Sequence, residues 1–179
     1  MARTKKNQVQ ELRFDEKLVL FKFMQRELGI TDMKLLARQM NLPEEEGINE
    51  STGNTLFIEY FFKQPGCRIP ETKLRVYDEN IRRYTQKIGE NRGGLTWKYF
   101  QYLSLLFTEI YLDRWFSDKE SFQQELTDFL HDEDDRTLGQ IGFQDFDLAK
   151  MNKLAYMSAT GSGKTLILHK TPNICTNLQ

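Results

Sequence analysis

The chain has 179 residues, of which 39% are hydrophobic and 12% aromatic, and a formal net charge of −1. That is apolar material for one sizeable core, while the near-zero charge excludes a global electrostatic drive towards nucleic acid or an anionic membrane and leaves room only for a local basic patch. No run of about 20 apolar residues occurs, so no membrane-spanning helix is expected.

Most of the chain reads as helix. In "FDEKLVLFKFMQREL" the residues Phe14, Leu18, Phe21 and Leu28 fall three, four or seven apart, one face of a helix, and Gly29 is its expected stop. Thr31 is the expected N-cap of a second helix, "TDMKLLARQMN". "LPEEEGINESTGN" is acidic, carries Pro43 and two glycines, and reads as a loop. "TLFIEYFFKQ" has strand-like aromatic and β-branched content, but the spacing of Leu56, Phe57, Tyr60 and Phe61 suits a short helix better. In "IPETKLRVYDENIRRYTQKIGE" the residues Leu74, Tyr77, Ile81, Tyr84 and Ile88 step by 3, 4, 3 and 4, with Pro70 near the start and Gly89 near the end.

"LTWKYFQYLSLLFTEIYLDRWF" differs in kind. Its charged residues are only Lys98, Glu109, Asp113 and Arg114. A helix apolar around most of its circumference is the buried centre of a bundle. Ser117 and Glu120 then suggest a capping box for a helix running through Leu130, with "HDEDDRTLGQIG" as the loop that ends it. The expected organisation is a helical domain over residues 1–135 and a different unit over 136–179.

The second unit centres on "KLAYMSATGSGKTLILH". A short apolar run suited to a buried strand leads into a glycine-rich turn, and a helix restarts behind it. Strand, glycine loop and helix form the context of a phosphate-binding loop. Gly161 and Gly163 allow close backbone approach to phosphates. The N–H groups of about residues 161 to 165 and the positive helix end would hold the anion. Thr160, Gly161, Ser162, Gly163, Lys164 and Thr165 are the expected nucleotide-binding residues. Lys164 would reach the β- and γ-phosphates, and the Thr165 hydroxyl would join the Mg²⁺ shell of MgATP. Ser158 stands where the strict pattern has its first glycine. Gly-x-Gly-Lys-Thr arises by chance in such a chain on the order of one time in a hundred. The plainer alternative is a glycine turn with no ligand.

These residues carry a resemblance. "NKLAYMSATGSGKTLILH" looks like motif I of superfamily 2 helicases, closest to the bacterial DEAD/DEAH-box helicase family proteins grouped with type III restriction enzyme helicase subunits. Such proteins often read Met-Ala-Thr-Gly-[Ser/Thr]-Gly-Lys-Thr, without the first glycine. "WKYFQYLSLLFTEIYLDRWF" is similar to the helical region before motif I in that group, so the resemblance covers about residues 95–169. It implies a mainly α chain: a helical N-terminal domain, then the first strand, phosphate loop and helix of an incomplete RecA-type α/β lobe. For the intact protein it implies an ATP-dependent helicase or translocase on DNA, in restriction or phage defence, with other defence subunits as potential partners. It also makes Gln144, ahead of the loop, the candidate for reading adenine.

The chain departs from the family in lacking an Asp-Glu box and second-lobe arginines after the loop, groups that position Mg²⁺ and the attacking water and stabilise the transferring phosphoryl group. Pro172 also falls early in the expected helix, which proline breaks. The expectation is a truncated gene product whose last ten residues or so are out of frame, and which alone hydrolyses nothing.

Other motifs have plainer readings. "HDEDD" at 131–135 and "EEE" at 44–46 read as solvated acidic loops. Arg82, Arg83, Lys87, Arg92 and Lys98, interleaved with aromatics, could hold phosphates and stack bases, but a solvated helix face with core aromatics is the expected role. Arg3, Lys5 and Lys6 read as a frayed tail. His131 and His169 lack partners at ligand spacing, so no metal site is expected beyond MgATP. Cys67 and Cys175 form no Cys-x-x-Cys pair, and "MARTKKNQVQ" has no apolar signal core. Both points suggest a reducing, cytoplasmic setting. The rival function is a non-enzymatic helical interaction module carrying a relic loop.

Overall fold

The computed structural model describes residues 12–41, 46–90, 94–142, 144–157, 162, 163 and 165. These form a mainly helical fold. A 3-10 turn at Phe14–Lys17 precedes α1 (Val19–Glu27), α2 (Met33–Met40), α3 (Leu56–Phe62), α4 (Glu71–Gly89), α5 (Tyr99–Ser117) and α6 (Lys119–Arg136). Helix α5 is the hub, packing against α2, α4 and α6, while α1 lies on α6 and α3 on α4. Nine of its residues are buried, from Tyr102 to Leu112. The apolar circumference seen in the sequence is thus the middle of the bundle.

Local chemistry decides where the helices begin and end. Helix α3 forms where the spacing favoured helix over strand, and Thr55 caps it by accepting from the Ile58 N–H at 3.2 Å. Helix α1 stops at Gly29, whose φ of +69° is left-handed and whose absent side chain would meet the Cys67 nitrogen at 2.8 Å. Two expected caps move by one residue. Asp32, not Thr31, caps α2, accepting from the N–H groups of Lys34 and Leu35. Asp118, not Ser117, caps α6, accepting from Ser121 N–H at 2.9 Å. In both places a carboxylate follows the hydroxyl residue, and a charged acceptor satisfies the orphan N–H groups more strongly. Ser117 is the last residue of α5, so α5 and α6 meet at a single-residue corner.

Two further expectations are corrected. The buried face of α1 is Val19, Phe23, Met24 and Glu27, and of the expected series Phe14, Leu18, Phe21 and Leu28 only Leu28, just past the helix end, is fully buried. Phe14 is exposed, and Phe21 is half-buried with its ring edge-on to Phe107 at 5.9 Å. With apolar residues on several sides, the spacing alone did not select the face. The "HDEDD" stretch is not a loop: α6 continues to Arg136. Acids in a last turn oppose the helix dipole. Here Lys22 donates to Glu133 at 2.9 Å, Arg136 also pairs with Glu133, and Asp134 Oδ1 accepts from the N–H groups of Ile141 and Gly142.

Two buried carboxylates tie the bundle together. Asp78, with no exposure, accepts from Thr55 N–H at 3.0 Å, Thr55 Oγ1 at 2.5 Å, Tyr102 Oη at 2.6 Å and Arg82 Nε at 3.1 Å. Glu27 on α1 meets Arg114 of α5 at 3.1 Å, Arg26 at 3.3 Å and Arg68 at 3.8 Å. Nearer the surface, Asp113 accepts from Lys73 Nζ and Tyr77 Oη, both at 2.7 Å. Partial burial raises the Asp113 carboxyl pKa, but these donors prevail and hold it below its ordinary value. Burial, aided by Asp113, pushes the Tyr77 hydroxyl well up.

Replacing Asp78 by Ala should cost about 3–5 kcal/mol, because the Arg82 charge loses its partner and the Thr55 and Tyr102 donors lose their acceptor together. Urea denaturation followed by circular dichroism would measure it, and a loss below about 1 kcal/mol would contradict the tie described here. For Asp113 the lowered pKa sets the sign: its contribution is present above the ordinary carboxylate pKa and is lost as pH falls through the folded-state value. The stability gap between the chain and Asp113→Asn should therefore be widest near neutrality and close in acid. Thermal melts across that range check this.

Candidate functional site

The described residues of 137–142 and 144–157 run back over α5 and α6 as an irregular strap. Gln123 Nε2 of α6 donates to the Phe146 carbonyl at 2.6 Å, and His131 pairs with Asp145 at 2.8 Å. Leu148, Leu154 and Tyr156 pack against the core, and Met151 belongs to it. Of the strand expected over residues 153–159, the structure describes 153–157, and that part has no regular secondary structure and no ladder partner; Ser158 and Ala159 lie outside the described residues. An apolar run becomes a strand only when a neighbour accepts and donates its backbone hydrogen bonds.

The strap instead uses side chains of α5. Tyr111 Oη donates to the Met151 carbonyl at 2.5 Å, Tyr156 shares a hydrogen bond with the Thr108 hydroxyl, and Gln101 Nε2 donates to the Ser162 carbonyl at 2.9 Å. As the strap advances, its partners step backwards along α5, so it runs antiparallel to the helix and ends at the first turn. Burial raises the pKa of the Tyr111 hydroxyl to about 12, which keeps that group protonated and donating at neutral pH.

Of the expected nucleotide-binding residues, the structure describes three. Ser162 is half-buried, and its Oγ is enclosed without a hydrogen-bond partner. Gly163 has φ +83°, a left-handed conformation that any side chain would strain. Thr165 is exposed, with helical backbone. Thr165 Oγ1 is the hydroxyl available to a Mg²⁺ shell. Thr160, Gly161 and Lys164 lie outside the described residues, as do Ser158, Pro172, His169 and Cys175. So do Arg3, Lys5, Lys6, Arg92, Glu44 and Glu45.

Gln144 is exposed on the strap, and no contact joins it to Ser162, Gly163 or Thr165. The basic stretch is dispersed. Arg82 pairs inward with Asp78, Arg83 lies over the Tyr84 ring at 5.4 Å, and Lys98 Nζ pairs with Glu46 at 2.6 Å. Among the described residues no cluster of three or more His, Cys, Asp or Glu side chains could hold a metal, and no helix is long and apolar enough to cross a membrane.

The residue the sequence reading missed is Gln101. It lies at the third position of α5, where its Oε1 accepts from Lys98 N–H at 3.0 Å while its Nε2 reaches Ser162. A glutamine three residues behind a helix start is a capping signature, and that signal was available in "KYFQ". Comparison with protein-family models, curated proteins and solved structures returns no match to this chain.

Replacing Gln101 by Glu, which keeps the acceptor for Lys98 N–H and loses the donor to Ser162, or Tyr156 by Phe, should loosen the strap with little effect on the bundle. Each lost hydrogen bond is worth about 0.5–1.5 kcal/mol, which corresponds to roughly two- to tenfold faster amide exchange over residues 151–163. Hydrogen–deuterium exchange mass spectrometry resolves that segment from α5, and equal exchange in both variants and the parent would show that these contacts do not hold it.

Proposed function

We propose that residues 160–165 are the MgATP-binding loop of an ATP-driven motor acting on DNA, and that the helical bundle is the platform on which this loop is mounted. The observation that carries the reading is the sequence Thr160-Gly161-Ser162-Gly163-Lys164-Thr165, supported by the left-handed Gly163 and the helical Thr165 within it. Lys164 and Thr165 would hold the β- and γ-phosphates and the Mg²⁺ ion, and the bound nucleotide would supply the energy of the motor. The resemblance to superfamily 2 helicases suggests the class of work, and Gln144 remains the proposed adenine reader within that analogy. Restriction or phage defence is the setting it suggests, with DNA and further defence subunits as partners.

A second reading has its own observation. Gln101, Thr108 and Tyr111 tie the strap to the bundle through the chain's own hydrogen bonds, an arrangement that a helical interaction module with a relic loop would also use.

The two readings part on nucleotide binding. Titration of the chain with a fluorescent ATP analogue, with and without Mg²⁺, should show saturable Mg²⁺-dependent binding that weakens at least tenfold in Lys164→Ala, a loss of about 1.4 kcal/mol or more. Binding that is absent, or indifferent to Lys164→Ala, favours the interaction module. The motor reading further requires an Asp-Glu box encoded downstream of codon 179 in some frame, which the DNA sequence of the locus decides.

A further inference from the structure

A cavity of about 520 Å³ opens where the end of α4 faces residues 94–97. Its walls are largely apolar and flat, with Phe57, Ile81, Leu95, Trp97 and Tyr102 among them. A space of this size and lining suits one small aromatic ligand. Two of the wall rings are held by hydrogen bonds. Trp97 Nε1 donates to Thr85 Oγ1 at 2.7 Å, and Tyr102 Oη donates to Asp78, so the rings are fixed before anything enters.

One strong donor faces the space. Arg82 lines the cavity, and its Nε is occupied by Asp78 at 3.1 Å. Its two terminal nitrogens have no hydrogen-bond partner among the described residues. Asp78 fixes the guanidinium plane, which leaves the outer fork available to an acceptor.

The charge balance excludes a simple anion site. Asp78 already neutralises Arg82, Glu90 stands on the rim, and the negative end of the α4 dipole points the same way. These groups favour a ligand that accepts at Arg82 and donates at the rim. We propose that the cavity binds a neutral heteroaromatic ring of nucleobase type, stacked against the aromatic walls, with a ring acceptor on Arg82 and an N–H donor towards Glu90. The ring would come either from a free nucleoside or from a base unstacked from a single strand. The proposal is independent of the nucleotide loop. It also gives the basic and aromatic stretch around Arg82 and Trp97 a use that the dispersal of its other cations does not.

The test uses the full chain, titrated calorimetrically with adenosine, guanosine, cytidine and thymidine, and separately with short single-stranded deoxyoligonucleotides. Nucleosides carry no phosphate, so they do not report on the loop at 160–165. The blocking variant is Gln86→Phe. Gln86 is exposed on α4 and lines the cavity, and no hydrogen bond of its side chain ties it to the fold, so the new ring fills the space without removing a contact. Saturable nucleoside binding, weakened at least tenfold by Gln86→Phe at unchanged melting temperature, supports a free-nucleoside site. Oligonucleotide binding with the same sensitivity, and no nucleoside binding, supports capture of an unstacked base. In either case Arg82→Lys, which keeps the charge on Asp78 but loses the fork, should reduce discrimination among the bases. No binding in either arm, or binding unmoved by Gln86→Phe, overturns the proposal.

Discussion

The bundle depends on one buried carboxylate. Asp78 has no exposure, and four donors from three elements converge on it: two from Thr55 at the start of α3, one from Arg82 on α4 itself and one from Tyr102 on α5. A charge taken fully out of water is costly unless it is paired and hydrogen-bonded. Here every donor is also structural. The Thr55 hydroxyl that donates to Asp78 is the same atom that caps α3, so the start of α3, the middle of α4 and the first turns of α5 are held to one point. Much of what surrounds the candidate sites follows from that point, because Tyr102 and Arg82 line the cavity and Gln101 is the residue next to Tyr102.

The first turn of α5 therefore has two sides with different occupants. On one, Trp97 and Tyr102 wall the cavity beside α4. On the other, Gln101 holds the Ser162 carbonyl at 2.9 Å. The strap's contacts step from Tyr111 to Thr108 to Gln101, so a shift at Ser162 would pull on a helix whose residues from Tyr102 to Leu112 are largely buried. Packed interiors respond to such a pull by moving as a unit or not at all. This makes the helical bundle a stiff support for the strap.

Charge is used inside the fold more than on it. Glu27 is 4% exposed and draws Arg26, Arg68 and Arg114 from three parts of the chain. The acidic end of α6 is stabilised by Lys22 from α1 and by its own Arg136. The net charge of −1 therefore conceals a set of internal pairings. Pairs that are half-buried and multiply bonded resist screening better than surface pairs, and several of the basic residues that could have formed a nucleic-acid face are spent on them.

How far the sequence was legible divides along a physical line. Helix type and extent were readable wherever one period dominated: α4 shows its 3, 4 spacing, α5 its apolar circumference, and α3 was read as helix against its strand-like composition. These are properties of residues within about two turns of one another, and a sequence displays them directly. The face of α1, the caps at Asp32 and Asp118, and the helical end of α6 depended on partners elsewhere. Phe23 is buried because Phe122 and Phe129 of α6 meet it, and the acids of 131–135 stay helical because Lys22, 111 residues away, donates to Glu133. By itself, the sequence determined the glycine loop's composition and a mainly α chain. Only the tertiary structure decided that residues 151 and 156 lie against α5, that Gln101 donates to the Ser162 carbonyl, and that Arg82 pairs with Asp78 beside a cavity. Those outcomes turn on which distant donor reaches which acceptor, and spacing along a chain does not encode that.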